Sequence, residues 1–478
     1  MAFTEFCCRS GGSNMNGGGL ASNAEPATSA VYSATNGGWN SATGVFTPTS
    51  GNPSASVTVG DWAHVFTDGS TTPTFIARVT AVNSTTVTLS TTAKSGTAPT
   101  TAGTGISINV GGAWAGPSGS ACFPLGFVSG AMKNATANAV RVNFKNNQTY
   151  SITASMTHAN SVTYFQGYTT TFGDLGKAIF DGGTTGASYE LLQVSGSGVD
   201  KTFWIDLILQ NNGATGSANA MSGFQGDRMY MLRCVVNNVR GSGFIGGNFI
   251  ECEAYACNKS NTSSTGAFNI TNLQLAIRCI AHSNSGSNND GFYCQGNGSR
   301  FVGCISANNG GHGFNFNNVF GEIAIGCDAI SNGGNGFFFQ GGADTVQFWE
   351  NCNAVNNAGY GVSFSGASGT VYGGRIRNFG FFGNTSGQFD PTNFAVDAEG
   401  TVTYSSSPYV DAPNGDFRIS LAAAKNAGVG SFTLTDTGYS GRANNVGFPD
   451  IGAVQHQDAG GSSGPIAQLK QFNRGSPY

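Results

Sequence analysis

Asp290, His312, Asn335 and Tyr360 each stand immediately before a glycine, at nearly even intervals along the chain. An Asp and a His carried on neighbouring turns of a repeat have the makings of an oriented general base. Asn335 and Tyr360 continue the column with an amide and a phenol, groups that bind sugar hydroxyls. The plainer reading is a solvated turn, where polar residues cost little. Hydrolysis of a glycosidic bond needs two convergent carboxyl groups, and this column holds one acid. Asp290 and His312 are thus the candidates for catalysis, Asn335 and Tyr360 for binding, and the balance leans against an enzyme.

Cysteine is the second reactive type. Cys234, Cys252, Cys279, Cys304, Cys327 and Cys352 are separated by 18, 27, 25, 23 and 25 residues. None has the C-x2-C pairing of a zinc site, so no metal and no cofactor is expected. A file of buried thiols is the better reading, since free Cys packs as a small hydrophobe. Cys7 and Cys8 are vicinal and sit with Phe3 and Phe6 in a glycine-rich segment, where they read as part of an anchoring arm.

The elements that position these residues follow from the repeat. Two residues after each cysteine stands Val236, Ala254, Ala281, Ser306, Ala329 or Ala354. Two residues before five of them stands Leu232, Ile250, Ile277, Val302 or Ile325. Alternation by two places all three on one face of a strand. Asn284, Asn309, Asn332 and Asn357 lie five residues past their cysteines, where a bend in the left-handed conformation is expected. A second strand opens at Gly291-Phe292, Gly313-Phe314 and Gly336-Phe337, and a third, as in "EIAIGC", returns to the next cysteine. Each repeat is one coil of three strands, and successive coils stack in parallel. Only 10% of the chain is charged and 73 residues are glycine, which suits an all-β protein of short strands and tight turns.

This pattern resembles the right-handed parallel β-helix of pectate-lyase-like proteins and phage tailspikes over residues 140 to 455. The resemblance implies a rod of stacked coils and leaves function open. "GGHG" (310 to 313) and "RIRN" (375 to 378) are similar to motifs of polygalacturonases, but that family's Asn-Thr-Asp and Asp-Asp motifs have no counterpart here. The calcium-binding Asp cluster of a pectate lyase is not apparent either. "SPYVDAPNGDFRI" (407 to 419) resembles the closing segment of β-helix proteins from phages and bacterial surfaces, and is expected to cap the open end.

The expected domains are an anchoring arm (1–30), a small β-barrel or sandwich (31–112), a linker and cap (113–139), the β-helix (140–390), its closing segment (391–458) and a flexible tail (459–478). A net charge of −4 gives no field for nucleic acid or an anionic membrane. The N-terminus lacks the charged and apolar regions of a secretory signal, which reads as folding in a host cytoplasm. The expectation is a structural phage virion protein, such as a spike, fibre or capsid decoration, exposed on the virion surface. Its partners would be other virion proteins, reached through the arm and β-domain, further copies of itself in a trimer, and host polysaccharide. A polysaccharide-degrading enzyme and a bacterial cell-surface adhesin are the alternatives.

Overall fold

The computed structural model describes residues 3–70, 75–99, 103–116, 139–158, 163–194, 202–223, 229–262, 265–271, 273–317, 321–340, 348–365, 375–390, 397–414, 416–425, 427–428 and 452–453. The fold is all-β, a parallel solenoid with a small closed antiparallel barrel. The chain forms two compact units, one of residues 1–184, 189–212 and 223–235, the other of residues 185–188, 213–222 and 236–478.

In the first unit, six strands between Tyr32 and Val110 close the barrel. Trp39, Phe46, Val65, Phe75, Val79, Leu89, Ile106 and Ile108 fill its interior. Their alternation along the strands, broken by Gly, Pro, Ser and Thr turns, is what makes this segment a barrel. The barrel is an insertion. Strand Phe3–Cys8 precedes it and pairs in parallel with Ala139–Lys145, which follows it.

That pairing corrects the anchoring arm. Phe6, Cys7 and Cys8 are fully buried within their own unit. Phe6 stacks on Trp114, with ring centroids 4.9 Å apart, and leans on Trp62 at 5.1 Å. Phe3 belongs to the strand as well. The following glycines are tight contacts and not slack: a Cβ on Gly17 would lie 1.8 Å from the Trp62 carbonyl oxygen. The segment looked too poor in apolar residues to fold because its partners lie beyond the inserted barrel.

In the second unit, three ladders of parallel strands run rung by rung. The first contains Leu275–Ile277, Arg300–Val302, Ile323–Ile325, Phe348–Glu350 and Arg375–Arg377. The second contains Thr265–Ile270, Asn289–Cys294, Phe314–Asn317, Phe337–Gln340 and Tyr360–Ser365. The third contains Glu253–Tyr255, Ile280–His282, Ile305–Ala307, Asp328–Ile330, Asn353–Val355 and Gly380–Phe382. Phe268, Phe292, Phe314 and Phe337 stack inward, with centroids 4.8–4.9 Å apart, the spacing of neighbouring strands.

Two details of the repeat differ from the alternation argument. Between the first and third ladders the chain turns a corner at the residue before each cysteine, and Glu251, Arg278, Gly303, Gly326 and Asn351 all have φ between 53° and 62°. A left-handed residue breaks the alternation by two, so Phe301, Ala324 and Trp349 are buried, while Ile277 and Ile325 are half-exposed. The corner is held by rung-to-rung bonds, such as Arg278 N donating to Val302 O at 2.8 Å.

The second difference concerns the asparagines. Asn284, Asn309, Asn332 and Asn357 are buried, and the left-handed position falls one residue earlier, at Ser283, Asn308, Ser331 and Asn356. The buried amides form a ladder. Asn284 Nδ2 donates to Asn309 Oδ1 (2.7 Å), Asn309 to Asn332 (3.0 Å), Asn332 to Asn357 (3.0 Å) and Asn357 to Asn384 (2.9 Å). Amide side chains satisfy each other where an apolar residue would leave backbone groups at the bend unpaired.

The C-terminal segment lies along the flank of the third ladder. Tyr404, Tyr409, Phe417, Ile419 and Ala453 cover Ile280, Ile305, Ile330 and Val355, and all nine are buried together. Outward apolar residues on this ladder are thus explained by a cover along its side, where the sequence suggested a cap over its end.

Candidate functional site

The Cys column is structural in its geometry. Cys234, Cys252, Cys279, Cys304, Cys327 and Cys352 are buried as free thiols. Each donates to backbone oxygens at its corner, as Cys304 Sγ does to Ala276 O at 3.3 Å and Cys352 Sγ to Glu350 O at 3.3 Å. Burial pushes the Cys279 and Cys327 thiols well above their ordinary range, which disfavours the thiolate. Cys7 faces Tyr168, with Sγ 3.0 Å from the phenol oxygen, and burial raises its pKa to about 12.

The chemistry-bearing column at the start of the second ladder is a set of turn acceptors. Asp290 Oδ1 accepts from His312 N at 2.7 Å, His312 Nδ1 from Asn335 N at 2.9 Å, and Asn335 Oδ1 from Tyr360 N at 2.8 Å. Each side chain therefore closes a backbone donor of the next rung. Asp290 meets the main chain of His312 and not its imidazole. That arrangement does not orient a general base.

The environment of the column is more informative. Asp290 is 5% exposed, and burial pushes its carboxyl up to about 7 despite the bonds from Asn315 Nδ2 (2.7 Å) and His312 N. Burial holds His312 down to about 4, so its imidazole is neutral at pH 7. Its ring lies on Phe338, with centroids 4.2 Å apart at 16°.

Alternation along the second ladder puts Asn269, Tyr293, Asn315, Phe338 and Ser363 in one column pointing away from the inward Phe stack, each in register with the next; Phe338 is half-exposed and the other four are buried. Gln295 Nε2 donates to Asn269 Oδ1 at 3.2 Å, Asn317 Nδ2 to the Tyr293 hydroxyl at 2.5 Å, and Ser363 Oγ to Asp390 Oδ2 at 3.0 Å. Among the described residues, Asn315 Oδ1 is buried without a hydrogen-bond partner. This face combines amides, hydroxyls and aromatic rings, and its strands carry no Lys or Arg. Such groups can bind hydroxyl-rich ligands through paired donors and acceptors and through ring faces. Asn315, Phe338 and Tyr293 do not precede a glycine and so lie outside the column that the sequence marks. The F-N-F-N alternation of 314 to 317 was the signal for them.

No family model matches the chain, and no curated protein matches it. Among solved structures it is similar to the A-module of the mannuronan C-5 epimerase AlgE4 from Azotobacter vinelandii, at 13% identity and a TM-score of 0.34, over 56% of this chain and 91% of that one. It is also similar to ORF18 of Geobacillus virus E2, at 14% identity and a TM-score of 0.33, over 57% of this chain and 56% of that one. A third is the catalytic domain of a GH87 alpha-1,3-glucanase, at 10% identity and a TM-score of 0.31, over 79% and 90%. At these TM-scores none of the likenesses bears on what this chain does.

Proposed function

We propose that the chain is a structural protein of a phage virion that displays its solenoid at the particle surface and binds neutral host glycans through the outer face of the second ladder. The observation that carries the glycan reading is the half-exposed group His312, Asn335, Phe338 and Tyr360 on that ladder, with the His312 and Phe338 rings stacked at 4.2 Å. Amides and rings without a cation suit uncharged sugars. Buried free thiols are compatible with folding in a reducing cytoplasm before assembly.

The strand Phe3–Cys8 belongs to the first unit's own ladder, so attachment to other virion proteins is assigned to the outer surface of the barrel. Association into trimers is assigned to the first ladder's outward face, where Ile277, Ile325 and Phe348 are half-exposed. Sedimentation of the full chain as a monomer at micromolar concentration would remove the trimer from this reading. Glycan-array binding of the full chain tests the main claim: neutral oligosaccharides should be retained, and Phe338→Ala with Tyr360→Ala should abolish retention without loss of fold. Mass spectrometry of purified virions tests the particle. A chain absent from virions, or an array with no neutral glycan bound, refutes the corresponding half.

A further inference from the structure

We propose a second site at the edge of the third ladder, where Ser283 is a nucleophile for short-chain carboxylic esters, with His282 as its general base and Glu253 as the positioning residue. The inference is independent of glycan binding by the second ladder.

Glu253–Tyr255 and Ile280–His282 are neighbouring strands, with Tyr255 in register with His282. His282 Nε2 lies 2.8 Å from Glu253 Oε1, and His282 Nδ1 lies 3.1 Å from Ser283 Oγ. A carboxylate beside Nε2 places the imidazole proton there. Nδ1 then presents a lone pair to the serine hydroxyl, which donates to it. Exposure rises along the relay in the order this chemistry needs: the Glu253 side chain is 7% exposed, that of His282 18%, and Ser283 is open to solvent. The Tyr255 ring lies against the imidazole, with centroids 5.1 Å apart at 17°, which fixes its plane. On the other side, Ala307 of the next rung leaves the imidazole uncrowded.

Ser283 has φ 54°, and the residue at the same turn position one rung on is Asn308, with φ 55°. Asn308 is exposed and one rung is about 4.8 Å, and its side-chain amide is assigned as donor to the oxyanion of an adduct on Ser283.

The chemistry closes on these groups. The Ser283 oxygen attacks the acyl carbon as its proton passes to His282 Nδ1. Collapse of the tetrahedral adduct expels the alcohol, which takes that proton, and leaves an acyl ester on Ser283. Water then attacks the acyl ester, giving its proton to Nδ1, and the second collapse releases the carboxylic acid and restores the hydroxyl. The sum is ester plus water to acid plus alcohol.

The test uses the full chain, a fluorophosphonate probe and site mapping by mass spectrometry, with p-nitrophenyl acetate as the turnover substrate. Ser285 and Ser287 are exposed on the same turn and serve as internal references. Ser283 should be labelled at least about 100-fold faster than either, the lower end of what a positioned base contributes. His282→Gln should bring Ser283 down to their rate. Glu253→Gln should lower kcat for acetate release with KM unchanged, and Glu253→Asp should restore part of it, a pattern that loss of packing alone would not produce. Equal labelling of Ser283, Ser285 and Ser287 in the unaltered chain overturns the proposal without reliance on any variant. So does unchanged labelling in a folded His282→Gln protein.

Discussion

Replacing Asn332 with Ala cuts the asparagine ladder at its middle. Asn332 Oδ1 accepts from Asn309 N (3.2 Å) and Asn309 Nδ2 (3.0 Å), and Asn332 Nδ2 donates to Asn357 Oδ1 (3.0 Å) and Ser306 O (3.1 Å). Asn357 Oδ1 keeps its bond from Asn332 N at 3.1 Å, and Asn309 Nδ2 keeps its bonds to Ala281 O and Ser306 Oγ. Asn309 N is left without a partner, while Ser306 O, in register on the ladder, loses only its second bond and Ser306 Oγ loses its 3.4 Å bond to Asn332 Oδ1. At about 1–3 kcal/mol for one buried group left unsatisfied, with the lost second bonds of Ser306 adding to it, the expected loss is about 2–4 kcal/mol. Asn384 ends the ladder and is half-buried, so water can replace part of what its removal deletes, and Asn384→Ala should cost about 2 kcal/mol or less. Asn332→Asp keeps the volume and the acceptor but turns a second oxygen toward Ser306 O and Asn357 Oδ1, and should cost at least as much as Ala. Urea unfolding followed by circular dichroism reads these differences, and unfolding rates replace midpoints if refolding is incomplete. Asn332→Ala within about 0.5 kcal/mol of the parent, the range of ordinary surface changes, would refute the ladder's role. So would an Asn384→Ala loss equal to that of Asn332→Ala.

Asp290→Asn tests the buried carboxyl. The folded pKa of about 7 lies above the unfolded value near 3.8, so the group's contribution is fully present below about pH 4 and is lost as pH rises through 7. Melting temperatures should therefore show the Asn variant gaining on the parent between pH 4 and pH 8, by an amount of order a few kcal/mol; a pH-independent difference would count against the shift. Cys304→Ala should cost about 1–2 kcal/mol through a small cavity, and Cys304→Asp much more, whereas equal melting points would mean an accessible side chain. Deletion of residues 2–30 should destabilise the barrel and first coil, since it uncovers the Ala139–Lys145 strand and removes Phe6 from Trp62 and Trp114. Proteolysis that finds the truncated first unit as resistant as the intact one would disprove that.

What the amino-acid sequence determined by itself was the repeat. Cys, a small residue, Asn and Gly-Phe recur because each rung packs on a copy of itself, and identical neighbours demand similar residues at equivalent positions. The three strands per coil, the barrel segment and the burial positions of Phe292, Phe314 and Phe337 were legible for that reason. Three matters were decided only in the tertiary structure. The left-handed corner at Glu251 and Arg278 is written in no residue preference, since neither type favours positive φ. Rung-to-rung hydrogen bonds impose it, and with it the outward turn of Ile277 and Ile325. Strand Phe3–Cys8 finds its partner across an inserted barrel, a pairing that local pattern cannot reveal. His282 and Ser283 meet Glu253 because parallel stacking sets the end of strand Ile280–His282 beside strand Glu253–Tyr255, a full coil away in sequence.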